Sequence, residues 1–154
     1  MKKENMNNKG FSLVELIIVI AIMAILIVVL APQYLRYVER SRNSTDMQNA
    51  TTIVDAIQIY AADPQAAPAI TNADDGAVIT INANGTASTC PNLQMQAALA
   101  NAGVNIDNMH CSSRTEWTGY TITVNVGTDG NVTFAYAGLG EATAGTFANR
   151  MNGN

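Results

Sequence analysis

Leu16 to Ala31 is sixteen apolar residues without a break, and no other feature constrains the chain as strongly. With Phe11 to Glu15 the stretch FSLVELIIVIAIMAILIVVLA extends to Ala31 and is followed by Pro32. As a helix it is about 31 Å long at ~1.5 Å per residue, close to the roughly 30 Å hydrocarbon thickness of a bilayer. A core helix of a globular domain is rarely apolar on every side, so the segment is expected to span a membrane. Ahead of it, Met1 to Gly10 is short and polar, with Lys2, Lys3 and Lys9 against Glu4.

Two simpler readings of this segment fit less well. A cleaved secretory signal has a shorter apolar region, about 7–15 residues, and ends in a small-x-small site. Here the run is longer and ends LAPQYLRY. A plain signal anchor accounts for the hydrophobicity but not for Glu15, since a carboxylate inside a spanning helix costs about 3 kcal/mol even on lenient scales. No Lys, Arg or His lies between Phe11 and Gln33 to neutralise it. A cut between Gly10 and Phe11 would create a cation, the new α-amine, one helical turn from Glu15. Within one chain the two groups are poorly placed. Between staggered neighbouring helices in a low dielectric they would attract strongly and set the register.

KGFSLVELIIVIAIMAILIVVLAPQYLRYVERS resembles the N-terminus of type IV prepilins. The likeness rests on the basic leader ending in Gly10, Phe11 opening the mature chain, and Glu15 within the apolar run. It continues through Pro32 to Tyr34, Tyr37 and Arg40, and covers residues 1 to about 42. The short leader and initial Phe look like the type IVa branch, although Ala24 stands where many of that branch carry Gly. The resemblance implies a prepilin peptidase that recognises Lys9-Gly10-Phe11, cuts after Gly10 and N-methylates Phe11. It implies subunit assembly through Glu15 and a helical homopolymer of the chain itself. The further partners implied are the pilus assembly platform, minor pilins and, before assembly, the cytoplasmic membrane. The final location would be an extracellular filament, serving motility, adhesion, DNA uptake or aggregation. Positive charge alone does not orient the span, because Lys2, Lys3 and Lys9 are matched by Arg36, Arg40 and Arg42. The resemblance places the leader inside.

The remainder predicts an α+β fold in four parts: leader 1–10, spanning helix 11–32, amphipathic half-helix 33–62, and a C-terminal β-sheet domain 63–154. Pro32 is expected to kink the helix without ending it. Apolar positions Met47, Ala50, Ile53, Val54, Ile57 and Tyr60 recur at helical spacing, with Asp46, Gln48, Asn49, Thr52, Asp55 and Gln58 expected mostly on the other side. Asp63-Pro64 stops the helix. Ile79 and Ile81 alternate in a strand before the hairpin signal Asn84-Gly85. A short helix is expected over Pro91–Ala102, capped by Ser88 or Thr89 and closed by Gly103. Tyr120, Ile122, Val124 and Val126, then Val132, Phe134 and Tyr136, alternate about Gly127–Gly130 as an antiparallel hairpin. Gly138 to Asn154 is small, polar and Gly-rich, as in a loosely packed tail.

Little in the chain suggests chemistry. With Lys+Arg 8 against Asp+Glu 12, charge-driven nucleic-acid binding is not expected. Two Cys and one His cannot form the usual four-ligand zinc site. In an extracytoplasmic domain Cys90 and Cys111 are expected to form a disulfide, the default for an even count; His110 is expected at the surface, not as a partner to Cys111. Asp74, Asp75 and Asp129 fall in predicted turns, where Asp serves the backbone, so neither metal nor cofactor is expected. Four N-x-S/T triplets begin at Asn43, Asn49, Asn84 and Asn131; in a chain rich in Asn and Thr they arise by chance. The expected product is a structural subunit of a type IV pilus and not an enzyme. A pseudopilin of a type II secretion or DNA-uptake system would share this N-terminus, and a signal-anchored enzyme or receptor would keep Met1 and have no use for Glu15.

Overall fold

A computed structural model describes residues 10–153. Helix α1 runs Leu13–Ala62 and continues through Pro32 without interruption. By contact the chain divides between Val38 and Glu39 into Met1–Val38 and Glu39–Asn154. The division falls inside the expected amphipathic half, six residues beyond the sequence-based boundary at Pro32.

In the first unit no residue of α1 is buried. Every large apolar side chain from Leu16 to Leu30 is more than half exposed, on all sides of the helix. Among the described residues α1 is the one helix long and apolar enough to cross a membrane.

The second unit is an α+β domain, as expected. Strands β1 (Ala77–Asn82), β2 (Gly119–Val126) and β3 (Val132–Leu139) form an antiparallel sheet in the order β1-β2-β3. Register places Ile79 opposite Ile122, and Ile122 opposite Tyr136. One face of β2, Tyr120, Ile122, Val124 and Val126, is buried, and Ile79 and Ile81 are fully buried beside it. This alternation is the one-sided pattern the sequence shows. Onto it packs the second half of α1 through Ala50, Ile53, Val54, Ile57 and Tyr60. On the Thr- and Ser-rich outer side of that half, Ser44, Thr45, Thr51 and Thr52 donate their hydroxyls to carbonyls four residues back, at 2.9–3.1 Å, so these side chains do not compete for the helix N–H groups.

Helix α2 (Leu93–Asn101) forms where expected, but its N-cap is Asn92, whose side chain accepts from Met95 N at 3.0 Å; Ser88 and Thr89 lie too far upstream. Its C-terminus closes on Gly103 (φ 71°). Val104 N donates to Leu99 O and Gly103 N to Ala100 O, the paired bonds that a left-handed residue at this position allows. The Asn84-Gly85 turn does not start a full hairpin. The returning chain pairs with β1 only at Thr80–Thr89, and the long partner of β1 is β2.

The tail departs most from expectation. Thr146–Met151 forms helix α3. Glu141 accepts from the amides of Gly145 and Phe147, which anchors its first turn. Phe147 is fully buried, stacked on Tyr120 at 4.5 Å and edge-on to Trp117 at 5.2 Å. Arg150 lies over the Trp117 ring and pairs with Glu116. One aromatic side chain in a small, polar sequence is enough to dock it.

Candidate functional site

The candidate site is the start of α1. Gly10 is exposed, and a side chain at that position would meet nothing within 4 Å. Phe11 is 92% exposed. Among the described residues nothing packs on the peptide between them, as a protease substrate requires. Ser12 precedes α1, and its backbone N–H donates to Glu15 Oε2 at 2.9 Å. The first helical N–H groups have no partner inside the helix, so Glu15 satisfies one donor at that end and lies near the positive end of the helix dipole. The Glu15 carboxylate thus has a local partner that charge counting overlooks. Ser12-Leu13-Val14-Glu15 is an S-x-x-E start signal, and that spacing could have revealed it. Pro32 sits within α1 and Lys2, Lys3, Glu4 and Lys9 of the expected leader lie outside the described residues.

A second polar constellation, in Glu39–Asn154, is absent from the sequence reading. On the buried side of α1 the polar residues Glu39, Asn43 and Asp46 continue the apolar stripe toward the N-terminus at spacings of four and three. Asp46, expected toward solvent, is completely buried. Its Oδ1 accepts from Ser112 N at 2.7 Å; its Oδ2 accepts from Ser113 N at 3.0 Å and the Trp117 indole N–H at 2.9 Å. Glu39 Oε1 accepts from the Ser113 hydroxyl at 2.8 Å, Arg114 N at 2.7 Å and Thr115 N at 2.9 Å. Arg42 reaches its other oxygen at 3.5 Å. Residues 112–117 form no helix or strand, and their N–H groups must find acceptors. Two carboxylates about two turns apart on α1 supply them. Periodicity could not distinguish such a buried carboxylate from a solvated one, because its partners lie more than 60 residues away.

Burial alone would raise the Glu39 pKa. The amides of Arg114 and Thr115 and the Ser113 hydroxyl overcome it and hold the carboxyl at about 2. A depressed carboxylate contributes stability that is complete above its unfolded value near 4.5 and is lost as pH falls toward about 2. Unfolding followed between pH 5 and 2 is therefore expected to lose stability steeply, and Glu39→Gln to flatten that dependence. An unchanged slope in the variant would show that Glu39 does not carry it.

Cys90 and Cys111 are not joined. Both are buried free thiols, and the expected disulfide is absent. Cys111 S–H donates to Asp46 Oδ2 at 3.3 Å, and Cys90 Sγ faces the Asn92 carbonyl at 3.8 Å. Each sulfur thus has its own polar neighbour. Burial pushes the Cys90 thiol up to about 11; burial with the adjacent Asp46 carboxylate pushes Cys111 to about 12. Residues 112–115, just after Cys111, are held by Asp46 and Glu39.

The turn aspartates serve the backbone. Asp74 accepts from Thr71 N at 2.8 Å and from Asn92 Nδ2 at 3.0 Å, and Asp75 accepts from Val126 N at 2.9 Å. His110 is half-buried, not fully at the surface. Among the described residues no three His, Cys, Asp or Glu side chains gather as a metal site would need.

One match to known proteins falls at the same end of the chain. The prokaryotic N-terminal methylation motif matches residues 5–31. Prepilin peptidase-dependent protein A of Clostridium perfringens (strain 13 / Type A) is 34% identical over 71 residues, which cover 45% of this chain and 51% of that protein. The chain thus spans about half the length of the curated relative it matches. No solved structure matches. Neither match is to an enzyme family.

Proposed function

We propose that this chain, whose N-terminal segment is type IV prepilin-like over residues 5–31, is the precursor of a type IV pilus subunit. The N-terminal methylation motif, lying across the exposed Gly10–Phe11 junction, carries this reading. The precursor is held in the cytoplasmic membrane by the apolar part of α1. A prepilin peptidase removes the leader after Gly10 and methylates the Phe11 amine. Subunits then polymerise through their N-terminal helices, whose apolar surface has no partner among the described residues. In the assembled filament Glu15 faces the Phe11 amine of a neighbour, where the charges neutralise each other away from water. Pro32, which lacks an N–H for the Val28 carbonyl, is the point at which α1 bends or loosens on assembly. The assembly platform and minor pilins are the remaining partners, and the outer domain Glu39–Asn154 forms the filament surface.

The test is mass spectrometry of the N-terminal peptide from sheared surface filaments. The expected peptide begins with N-methylated Phe11. Gly10→Leu should leave full-length precursor in the membrane, with processing reduced by at least tenfold. Among the described residues nothing lies against Gly10, so the loss would report the peptidase and not misfolding. Normal processing of Gly10→Leu would overturn the assignment of the junction. The alternative is a pseudopilin of a type II secretion or DNA-uptake system, which would share this N-terminus. Filament abundance separates the two: long filaments dominated by this chain mark a pilin, whereas a membrane-retained chain marks a pseudopilin.

A further inference from the structure

We infer that Tyr34, Arg36 and Tyr37 form a collar on α1 that binds phospholipid headgroups at the outer membrane surface and fixes the depth of the waiting precursor. The inference rests on reading α1 as a membrane span. Tyr34 and Tyr37 are 66% and 74% exposed. Arg36 is exposed too, and among the described residues it takes part in no ion pair. Arg42, by contrast, is engaged with Glu39. Three large amphipathic side chains therefore stand free on a stretch of four residues just beyond the apolar run.

Their height on the helix matches the headgroup layer. The run ends at Ala31. At ~1.5 Å per residue, Tyr34, Arg36 and Tyr37 lie about 4.5, 7.5 and 9 Å beyond it. The polar zone of a bilayer extends about 5–7.5 Å past the hydrocarbon on each side. Helical side chains tilt toward the N-terminus, here back toward the membrane, which brings both phenols and the guanidinium into that zone. Tyr34 and Tyr37 share one side at i, i+3, and Arg36 lies toward the other, so the group encircles the helix. Tyr rings favour this boundary because one end is apolar and the other forms hydrogen bonds. The guanidinium fork matches two phosphate oxygens. Phosphate-bearing lipid is the partner that suits both residue types, and a negatively charged headgroup suits it best.

The full chain, reconstituted in vesicles, tests this. Val19→Cys and Gln33→Cys supply single reporters for a membrane-impermeant maleimide; the native cysteines are buried. In vesicles of phosphatidylcholine with phosphatidylglycerol, Val19→Cys should remain unlabelled and Gln33→Cys should label slowly. Adding Arg36→Gln should speed labelling at position 33 about fivefold, the weight of one arginine at an anionic surface. Pure phosphatidylcholine vesicles should give a similar rise without the substitution. Tyr34→Ser with Tyr37→Ser should raise labelling in both lipids. With Val19→Cys protected, a Gln33→Cys rate indifferent to Arg36→Gln, to the tyrosine changes and to lipid charge overturns the collar alone. Labelling of Val19→Cys would overturn the span and the collar with it.

Discussion

Asp46→Ala is expected to lower the unfolding free energy of the outer domain by about 3–4 kcal/mol, much of the 5–15 kcal/mol typical of a domain. The carboxylate is completely buried and accepts from Ser112 N, Ser113 N, the Trp117 indole and the Cys111 thiol. Alanine leaves these donors inside the protein without an acceptor, at about 1–3 kcal/mol for each that water cannot reach. Asp46→Asn should cost nearly as much, because its NH2 group would face donors where an acceptor is needed. Asp55→Ala, on the exposed side of the same helix, should stay within about 0.5 kcal/mol of the parent. The measurement is the denaturant midpoint read by circular dichroism, since Trp117 fluorescence would respond to loss of its own hydrogen bond. A midpoint for Asp46→Ala equal to that of Asp55→Ala would refute this account of residues 112–117.

Glu15→Val should abolish surface filaments while leaving membrane insertion intact. Removing an ionised group from the span favours insertion by about 3 kcal/mol on lenient scales, and the outer domain, Glu39–Asn154, is a separate unit. Assembly loses the counter-charge for the Phe11 amine. The structure adds a complication, because Glu15 also accepts from Ser12 N. Valine removes both the charge and this cap; the cap is worth about 0.5–2 kcal/mol. Glu15→Gln separates the two, since an amide oxygen can still accept from Ser12 while the charge is gone. If the charge pair drives docking, Glu15→Gln should yield intermediate numbers of filaments, well below the parent. Parental yield from Glu15→Gln with loss in Glu15→Val would assign the effect to the cap. Normal yield from Glu15→Val would refute both. Counting sheared filaments against membrane-held subunit, in cells lacking the native chain, reads all three outcomes.

What the sequence by itself determined is what depends on neighbours along the chain. The apolar segment from Leu16 to Ala31, the long helix through Pro32, α2 and its Gly103 closure, and the β2–β3 hairpin all follow from local periodicity and turn chemistry. The N-terminal methylation motif over residues 5–31 is likewise legible there, because it is a short linear pattern. Even the Ser12–Glu15 bond was within reach of a three-residue spacing rule. Tertiary structure alone decided where polar groups at helical positions face. Asp46 looks like a solvated residue until Ser112, Ser113 and Trp117 arrive from more than 60 residues away to surround it. It also gave each cysteine its own polar neighbour, Asp46 for Cys111 and the Asn92 carbonyl for Cys90, which a count of cysteines does not record. Finally it decided that the tail docks. The composition of Gly138–Asn154 suggested looseness, but Phe147 meets an aromatic pocket formed by Tyr120 and Trp117, and contact between side chains distant in sequence is not recorded in either segment alone.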